Sequence, residues 1–253
     1  MTQDSRPRCV LNTRPLEDSA ELNERLLQLG MTVVSEPLLQ ISFFNELAPG
    51  LKKFKALIFT SRNGARAFGR VSAQRDIPVF AVGDSTARFA QEAGFQQVLS
   101  ADGNVESLTA LVARTIEPLS GPLLHVAGSV TAGNLSGELQ PLGYEIVREV
   151  MYESRISEEL STRTTQMIRN GAVDCIALFS PRTARTFARL AEHSGILDCC
   201  GDMSVVCLSP AVAVAVNGIP WRQALIASEP KFEALMQLFG ELEAEYGTRS
   251  RFR

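Results

Sequence analysis

Short apolar runs alternate along the chain with segments whose apolar residues recur every three to four positions, the pattern of strands and helices in parallel α/β layers. Val10-Leu11-Asn12 reads as a first strand and Val33-Val34 begins the next. Between them Leu22, Leu26 and Leu29 share one helical face, with Asp18 or Ser19 as the cap and Gly30 as the stop. Further strands are expected at residues 56–60, 79–82, 123–127, 146–152, 175–179 and 205–208, most of them separated by helix-length segments. The charged tail, residues 241–253, is expected to begin as helix and fray.

The pattern repeats. Leu29-Gly30-Met31-Thr32-Val33-Val34 returns as Leu142-Gly143-Tyr144-Glu145-Ile146-Val147, 113 residues on. Phe59-Thr60-Ser61, followed by Ala65-Arg66-Ala67-Phe68, returns 119 residues on as Leu178-Phe179-Ser180, followed by Ala184-Arg185-Thr186-Phe187. Val79-Phe80-Ala81-Val82-Gly83 matches Val205-Val206-Cys207-Leu208-Ser209 at 126, and Glu106-Ser107-Leu108 matches Glu233-Ala234-Leu235 at 127. Ordered matches with a growing offset mark two diverged copies of one unit and hence two lobes. They also settle residues 211–216, which alternate like a strand although their counterpart, residues 85–93, reads as helix. Ser209 as N-cap and Pro210 at the first helical position agree with helix.

Composition narrows the ligand. With 253 residues, 45% of them hydrophobic, the chain can fill two cores. Lys and Arg number 25 against 28 Asp and Glu, a net charge of −3, which leaves no global basic field to recruit nucleic acid or a membrane surface. Any anionic ligand must be held by local groups. Residues 1–7 lack the apolar stretch of a signal peptide, and no apolar run approaches the roughly 18 residues that span a bilayer, so a cytoplasmic protein is expected. The five cysteines (Cys9, Cys175, Cys199, Cys200, Cys207) contain no C-x-x-C pair and only His125 and His193 accompany them, which argues against a structural metal or a disulfide framework. Cys175 and Cys207 are expected as buried, small apolar residues on strands. No G-x-G-x-x-G, Walker A, H-E-x-x-H or G-x-S-x-G motif is present.

Small polar residues gather where strands pass into helices: Thr60-Ser61-Arg62-Asn63-Gly64, Gly83-Asp84-Ser85-Thr86, Ser180-Pro181-Arg182-Thr183 and Ser209-Pro210. In parallel sheets such junctions lie at the carboxyl ends of strands, where ligands bind and helix N-termini offer N–H groups to anions. Each also fits ordinary capping; four in two lobes favour an anion-rich cleft. Arg14, after the first strand, suits either a bidentate carboxylate clamp or a surface salt bridge. Arg62 and Arg182 are counterparts 120 residues apart and either face one cleft or stand in solvent. Tyr152 is a packing residue or a proton donor to a leaving oxygen. His125 is expected to be structural.

Together Asn12-Thr13-Arg14-Pro15, Ile58-Phe59-Thr60-Ser61-Arg62-Asn63-Gly64, Ala81-Val82-Gly83-Asp84-Ser85-Thr86-Ala87, Val150-Met151-Tyr152-Glu153-Ser154 and Phe179-Ser180-Pro181 resemble the uroporphyrinogen-III synthase family over residues 10–240. The resemblance implies two similar parallel-sheet lobes, flavodoxin-like and three-layered, joined by a two-stranded β linker. One lobe would hold residues 1–36 with 155–253 and the other residues 37–154, the chain crossing near 36–40 and 149–155. It implies a monomeric, cyclising hydro-lyase of porphyrin and heme biosynthesis that needs no metal or organic cofactor. Linear hydroxymethylbilane, carrying eight carboxylates, would lose water and close with its last pyrrole ring inverted. Tyr152 would assist departure of the hydroxyl, and Thr13, Arg14, Ser61, Arg62, Asn63, Gly83, Ser85, Thr86, Ser180, Pro181, Arg182 and Ser209 would line the substrate site.

Two departures from the family pattern stand out. Ser209-Pro210-Ala211-Val212-Ala213 lacks the hydroxyls of the usual Gly-Pro-Thr-Thr-Ala, and His125-Val126-Ala127-Gly128-Ser129 lacks the arginine often found before its glycine. A non-enzymatic two-lobed module binding a polyanion or tetrapyrrole is the competing reading. A flavodoxin-like nucleotide binder stands third, lacking its glycine fingerprint.

Overall fold

The structure, a computed structural model, describes residues 7–44, 53–101, 103–130 and 133–251, with side chains to residue 244. The chain runs β1 (Cys9–Asn12), α1 (Leu16–Gln28), β2 (Thr32–Ser35), β3 (Leu39–Phe43), β4 (Ala56–Phe59), α2 (Arg62–Val71), β5 (Val79–Ala81), α3 (Asp84–Glu92), β6 (Val98–Ser100), α4 (Val105–Thr115), β7 (Leu123–Gly128) and α5 (Leu135–Leu139). It continues through β8 (Ile146–Ile156), α6 (Thr162–Arg169), β9 (Cys175–Leu178), α7 (Pro181–His193), β10 (Ser204–Cys207), α8 (Pro210–Val214), β11 (Gln223–Ile226) and α9 (Phe232–Arg251). Backbone contacts divide it into two compact units, one formed by the residues up to Gln40 and from Arg155 onward, the other by Ile41–Ser154.

Each unit is a sheet with helices on both faces. The first sheet has strand order β11-β10-β9-β1-β2, and the second β3-β8-β7-β4-β5-β6. Strands β1, β4, β5, β7, β9 and β10 are buried throughout, as parallel strands covered on both sides must be. In the first unit Leu11, Ile176, Leu178 and Val205 pack with Phe187 and Leu190 of α7, while Val10, Cys175 and Val206 pack on the other face with Leu22 and Leu26 of α1 and Leu235 and Phe239 of α9. In the second, Leu57, Phe59 and Val79 meet Phe68 of α2 and Ala90 of α3, while Ile58, Phe80 and Leu123 meet Leu108 and Val112 of α4 and Leu139 of α5.

The repeat reappears in the hydrogen-bond registers. Val10 pairs with Cys175 in the first sheet, and Leu123 with Ala56 in the second, residues offset by 113 and 119. Val205 pairs with Ile176, and Val79 with Leu57, offset by 126 and 119. Each sheet is thus drawn from both copies. Strands β1 and β2 of the first copy join β9, β10 and β11 of the second, whereas β7 and β8 of the second copy join β4, β5 and β6 of the first.

Some local expectations change. Helix α1 starts at Leu16, ahead of Asp18 and Ser19, because the Pro15 carbonyl already accepts the Asp18 N–H at 2.9 Å. Ser19 lies inside the helix and turns its hydroxyl back to the Arg14 and Pro15 carbonyls instead of capping. Residues 210–214 are helical, with Pro210 in the first turn, although the Ser209 hydroxyl makes no capping bond. Strands β6 and β11 went unread because runs of three and four residues are too short to show a period. Of the tail, α9 accounts for residues up to Arg251; the last two residues, like the first six of the chain, lie outside the described residues. No helix among the described residues is long and apolar enough to cross a membrane.

Candidate functional site

Because the strands that lead into these helices run parallel, the strand-to-helix junctions of each unit fall along one edge of its sheet. In the first unit these are Thr13 and Arg14 after β1, Ser180-Pro181-Arg182 after β9 and Ser209 after β10. In the second they are Ser61-Arg62-Asn63 after β4, Gly83, Ser85 and Thr86 after β5, and the end of β7. The caps Ser61, Gly83, Ser180 and Ser209 share one extended backbone conformation, so the following helices present the N–H groups of their first turns at that edge, α7 and α8 only from the residue after the leading proline. Helices α2, α7 and α8 carry no acidic residue in the first turn, which leaves the positive end of each helix dipole uncancelled from within.

The side chains divide by what they already hold. Thr13 is buried and donates its hydroxyl to the Ala177 carbonyl at 2.7 Å, tying β1 to β9. Arg14 stacks its guanidinium 4.6 Å above the Phe179 ring. Ser180 caps α7 in the ordinary way, accepting the Thr183 N–H at 3.1 Å, with Pro181 at the start of the helix. Asn63 accepts a bond from Arg66 at 2.9 Å, Thr86 is buried in the first turn of α3, and Ser85 and Arg182 are exposed. At Gly83 a Cβ would meet nothing within 4 Å, so the backbone there is open to an approaching group.

Ser61 behaves differently from its counterpart Ser180. It makes no capping bond; its Oγ lies 2.7 Å from the Tyr152 hydroxyl. Tyr152 stands on β8, 8% exposed, with its ring 6.4 Å from that of Phe43, over which Arg70 is stacked. The register of β7 and β8 slips at Ala127/Gly128, so that Gly128 faces Tyr152 and the Ser129 N–H donates to the Tyr152 carbonyl at 2.9 Å. A Cβ on Gly128 would lie 2.7 Å from Tyr152 Cε2. Glycine is what lets the ring reach Ser61. A second glycine, Gly64, brings α2 against β7, since a Cβ there would come 2.9 Å from the Val126 carbonyl oxygen.

On the opposite face of β7, His125 is 3% exposed, its Nε2 lies 3.3 Å from Thr60 Oγ1, and its Nδ1 has no partner. Burial, with the Arg148 guanidinium as the lesser cause, lowers its pKa to about 4, so the ring is neutral. Cys175 and Cys207 are fully buried, and burial pushes their thiols up to about 12 and about 11, which makes them inert packing groups.

Among the described residues no group of three or more His, Cys, Asp or Glu is placed to hold a metal ion. A cavity of about 330 Å³ between α1 and α9 is lined by Arg25, Glu233 and Met236, and one of about 670 Å³ near the amino ends of β4, β5 and β6 by Lys55, Phe80, Leu99 and Glu117. Neither touches a junction residue, and the second opens at the wrong end of the sheet for a ligand of the helix N-termini.

The sequence marked the turn at Gly128 only for the arginine it lacks, and gave no role to Gly128 itself or to Arg148. The repeat register, which aligns the end of β7 with the end of β1, also points to that turn as a site.

Two largely parallel sheets built from exchanged halves of a duplication, each edged with uncancelled helix N-termini, define a ligand-binding α/β protein. The family model described as Uroporphyrinogen-III synthase HemD matches residues 20–237, and the chain belongs to that family. A uroporphyrinogen-III synthase of Chlorobaculum parvum is 28% identical over 192 residues, covering 70% of this chain and 77% of that protein. One of Synechococcus elongatus is 24% identical over 246 residues, covering 90% and 92%. The crystal structure of uroporphyrinogen-III synthetase from Helicobacter pylori shares the fold, with a TM-score of 0.62 and 18% identity over 93% of this chain and 99% of that one.

Proposed function

We infer that this chain closes linear hydroxymethylbilane to uroporphyrinogen III, losing water and inverting the last pyrrole ring, as a cyclising lyase of porphyrin and heme biosynthesis. Family membership over residues 20–237 carries the reading. The competing idea of a binding module without turnover draws on the altered residues after β10; those changes remove hydroxyls and leave the backbone N–H groups of α8 in place.

The catalytic group is the Tyr152 phenol. Its hydroxyl ends a hydrogen bond with Ser61, and the pair supplies a proton to the departing hydroxyl of the substrate, assisting loss of water. A substrate that closes without inversion when left alone requires an enzyme that restricts geometry more than one that supplies reactive groups. The junctions provide that restriction by distributing donors to the substrate carboxylates. Ser61, Arg62, Asn63, Gly83, Ser85 and Thr86 serve in the second unit, and Arg14, Ser180, Arg182 and Ser209 in the first, with Thr13 fixing the turn that carries Arg14 and Pro181, which has no N–H to donate, lining the site at the start of α7.

Side-chain recognition leans on the second unit, which keeps Gly83-Asp84-Ser85-Thr86 where the first has Ser209-Pro210-Ala211-Val212. The enzyme works as a cytoplasmic monomer on a small molecule, without nucleic acid or a membrane surface as partner; a net charge of −3 supports the last of these. The isomer composition of the product tests the assignment.

A further inference from the structure

The ladder registers make Arg14 and Ala127 counterparts, 113 residues apart, because Val10 and Leu123 hold the same place in their sheets. The first unit therefore carries a guanidinium at the carboxyl end of β1, and the equivalent turn of the second carries none of its own. Ala127 is fully buried, Gly128 has no room for a side chain beneath the Tyr152 ring, and Ser129 and Val130 are uncharged.

Arg148 reaches the same turn from the neighbouring strand. Its Nη2 donates to the Gly128 carbonyl at 2.6 Å and lies 3.4 Å from that of Ser129. The side chain is exposed, and among the described residues its Nε and Nη1 bond to nothing and no carboxylate pairs with it. Neutral carbonyls hold the guanidinium in position without cancelling its charge, and two of its nitrogens still offer N–H groups. These N–H groups point to different sides of the guanidinium, and either can make a single charge-assisted bond to a carboxylate oxygen. His125, paired with Arg148 across the ladder, stays neutral and does not compete for an anion.

We propose that Arg148 is a substrate-binding residue that pairs with one carboxylate of the substrate at the end of β7, the place Arg14 holds at the end of β1. This rests on the synthase reading, which supplies a substrate rich in carboxylates.

The test compares wild type with Arg148→Gln, which keeps a donor for the Gly128 carbonyl and removes the charge, and with Arg148→Lys, which keeps the charge on a single shorter ammonium. Two quantities are read: the Kd for uroporphyrin III, an octacarboxylate, by fluorescence quenching, and the kinetics with hydroxymethylbilane. Arg148→Gln is expected to raise both Kd and KM about tenfold, the loss of one charge-assisted pair, with kcat within about twofold. Arg148→Lys is expected to show a smaller rise in both.

Unchanged Kd and KM in Arg148→Gln overturn the proposal. So does a fall in kcat, or a shift toward the non-inverted isomer, with Kd and KM unchanged, since that makes Arg148 a support for the turn beneath Tyr152. Should Arg148→Gln fail to fold by circular dichroism, Arg148→Lys decides: a several-fold rise in Kd supports the proposal and an unaltered Kd overturns it. Wild type that binds uroporphyrin III yet forms no uroporphyrinogen III defeats the synthase reading, while the Kd comparison still decides Arg148. Where wild type shows no affinity for uroporphyrin III, KM decides Arg148, an unchanged KM in Arg148→Gln overturning the proposal, while the product isomer alone decides the synthase reading.

Discussion

The hydroxyls of Ser61 and Tyr152, 91 residues apart in the chain, meet at 2.7 Å. Ser61 gives up the capping bond that its counterpart Ser180 makes. The helix forgoes one N-cap interaction, worth about 1 kcal/mol, so that the phenol has a fixed partner. Tyr152→Phe should therefore lower kcat at least about tenfold, toward the range lost with a general acid, and leave the melting temperature within a few degrees. Ser61→Ala should lower kcat about fivefold, the worth of one hydrogen bond, with little change in KM. Steady-state kinetics beside thermal melts check both. Unchanged turnover in Tyr152→Phe removes the phenol from the mechanism.

Gly128→Ala should be worse for catalysis than Ser61→Ala. The added methyl would stand 2.7 Å from Tyr152 Cε2, so the ring must swing away from Ser61. A loss of about 1–3 kcal/mol in urea unfolding is expected from overpacking, with a drop in kcat that Tyr152→Phe does not deepen in the double variant. Full additivity of the two changes would show that Gly128 acts elsewhere.

Acid should weaken the fold through His125. Its pKa is about 4 in the folded chain against about 6.5 when unfolded, so between these values the unfolded chain binds the proton and the native one does not. Stability is lost as pH falls from about 6.5 toward 4, by up to roughly 3 kcal/mol, and His125 adds no further loss below that. Urea midpoints from pH 7 to pH 4 should fall less steeply in His125→Gln than in wild type. Arg148→Gln, by removing the second cause of the shift, should raise the His125 pKa read by NMR titration.

Glu36 fixes the start of α6. Its carboxylate accepts the Ser161 N–H at 2.9 Å and the hydroxyls of Ser161 and Thr164 at 2.6 and 2.5 Å, and Glu36 is 7% exposed. Glu36→Gln keeps the shape and weakens acceptance by replacing the charged oxygens, so about 1–3 kcal/mol of stability should go, without a change in product. A melt and a product analysis on the same sample check both halves.

The duplication was legible because apolar runs and their turn residues survive divergence: Phe59-Thr60-Ser61 and Leu178-Phe179-Ser180 still match. The burial of Cys175, Cys207 and His125 was legible too, since each sits in a continuous apolar strand. Contacts between distant residues were not. Nothing beside Ser61 in the chain announces Tyr152, and Gly128 reads as an ordinary strand end until the ring that covers it is placed. Arg148 looks like one of many surface arginines, because its importance comes from Ala127 on the adjacent strand. The start of α1 was misread for a related reason: Pro15 outranks Asp18 and Ser19 only through a carbonyl aimed at the Asp18 N–H.

The most direct test is incubation of the purified chain with hydroxymethylbilane, followed by oxidation and chromatographic separation of the uroporphyrin isomers. Uroporphyrin III, formed faster than spontaneous closure, is the predicted product. Only isomer I, at the rate seen without protein, would contradict the account.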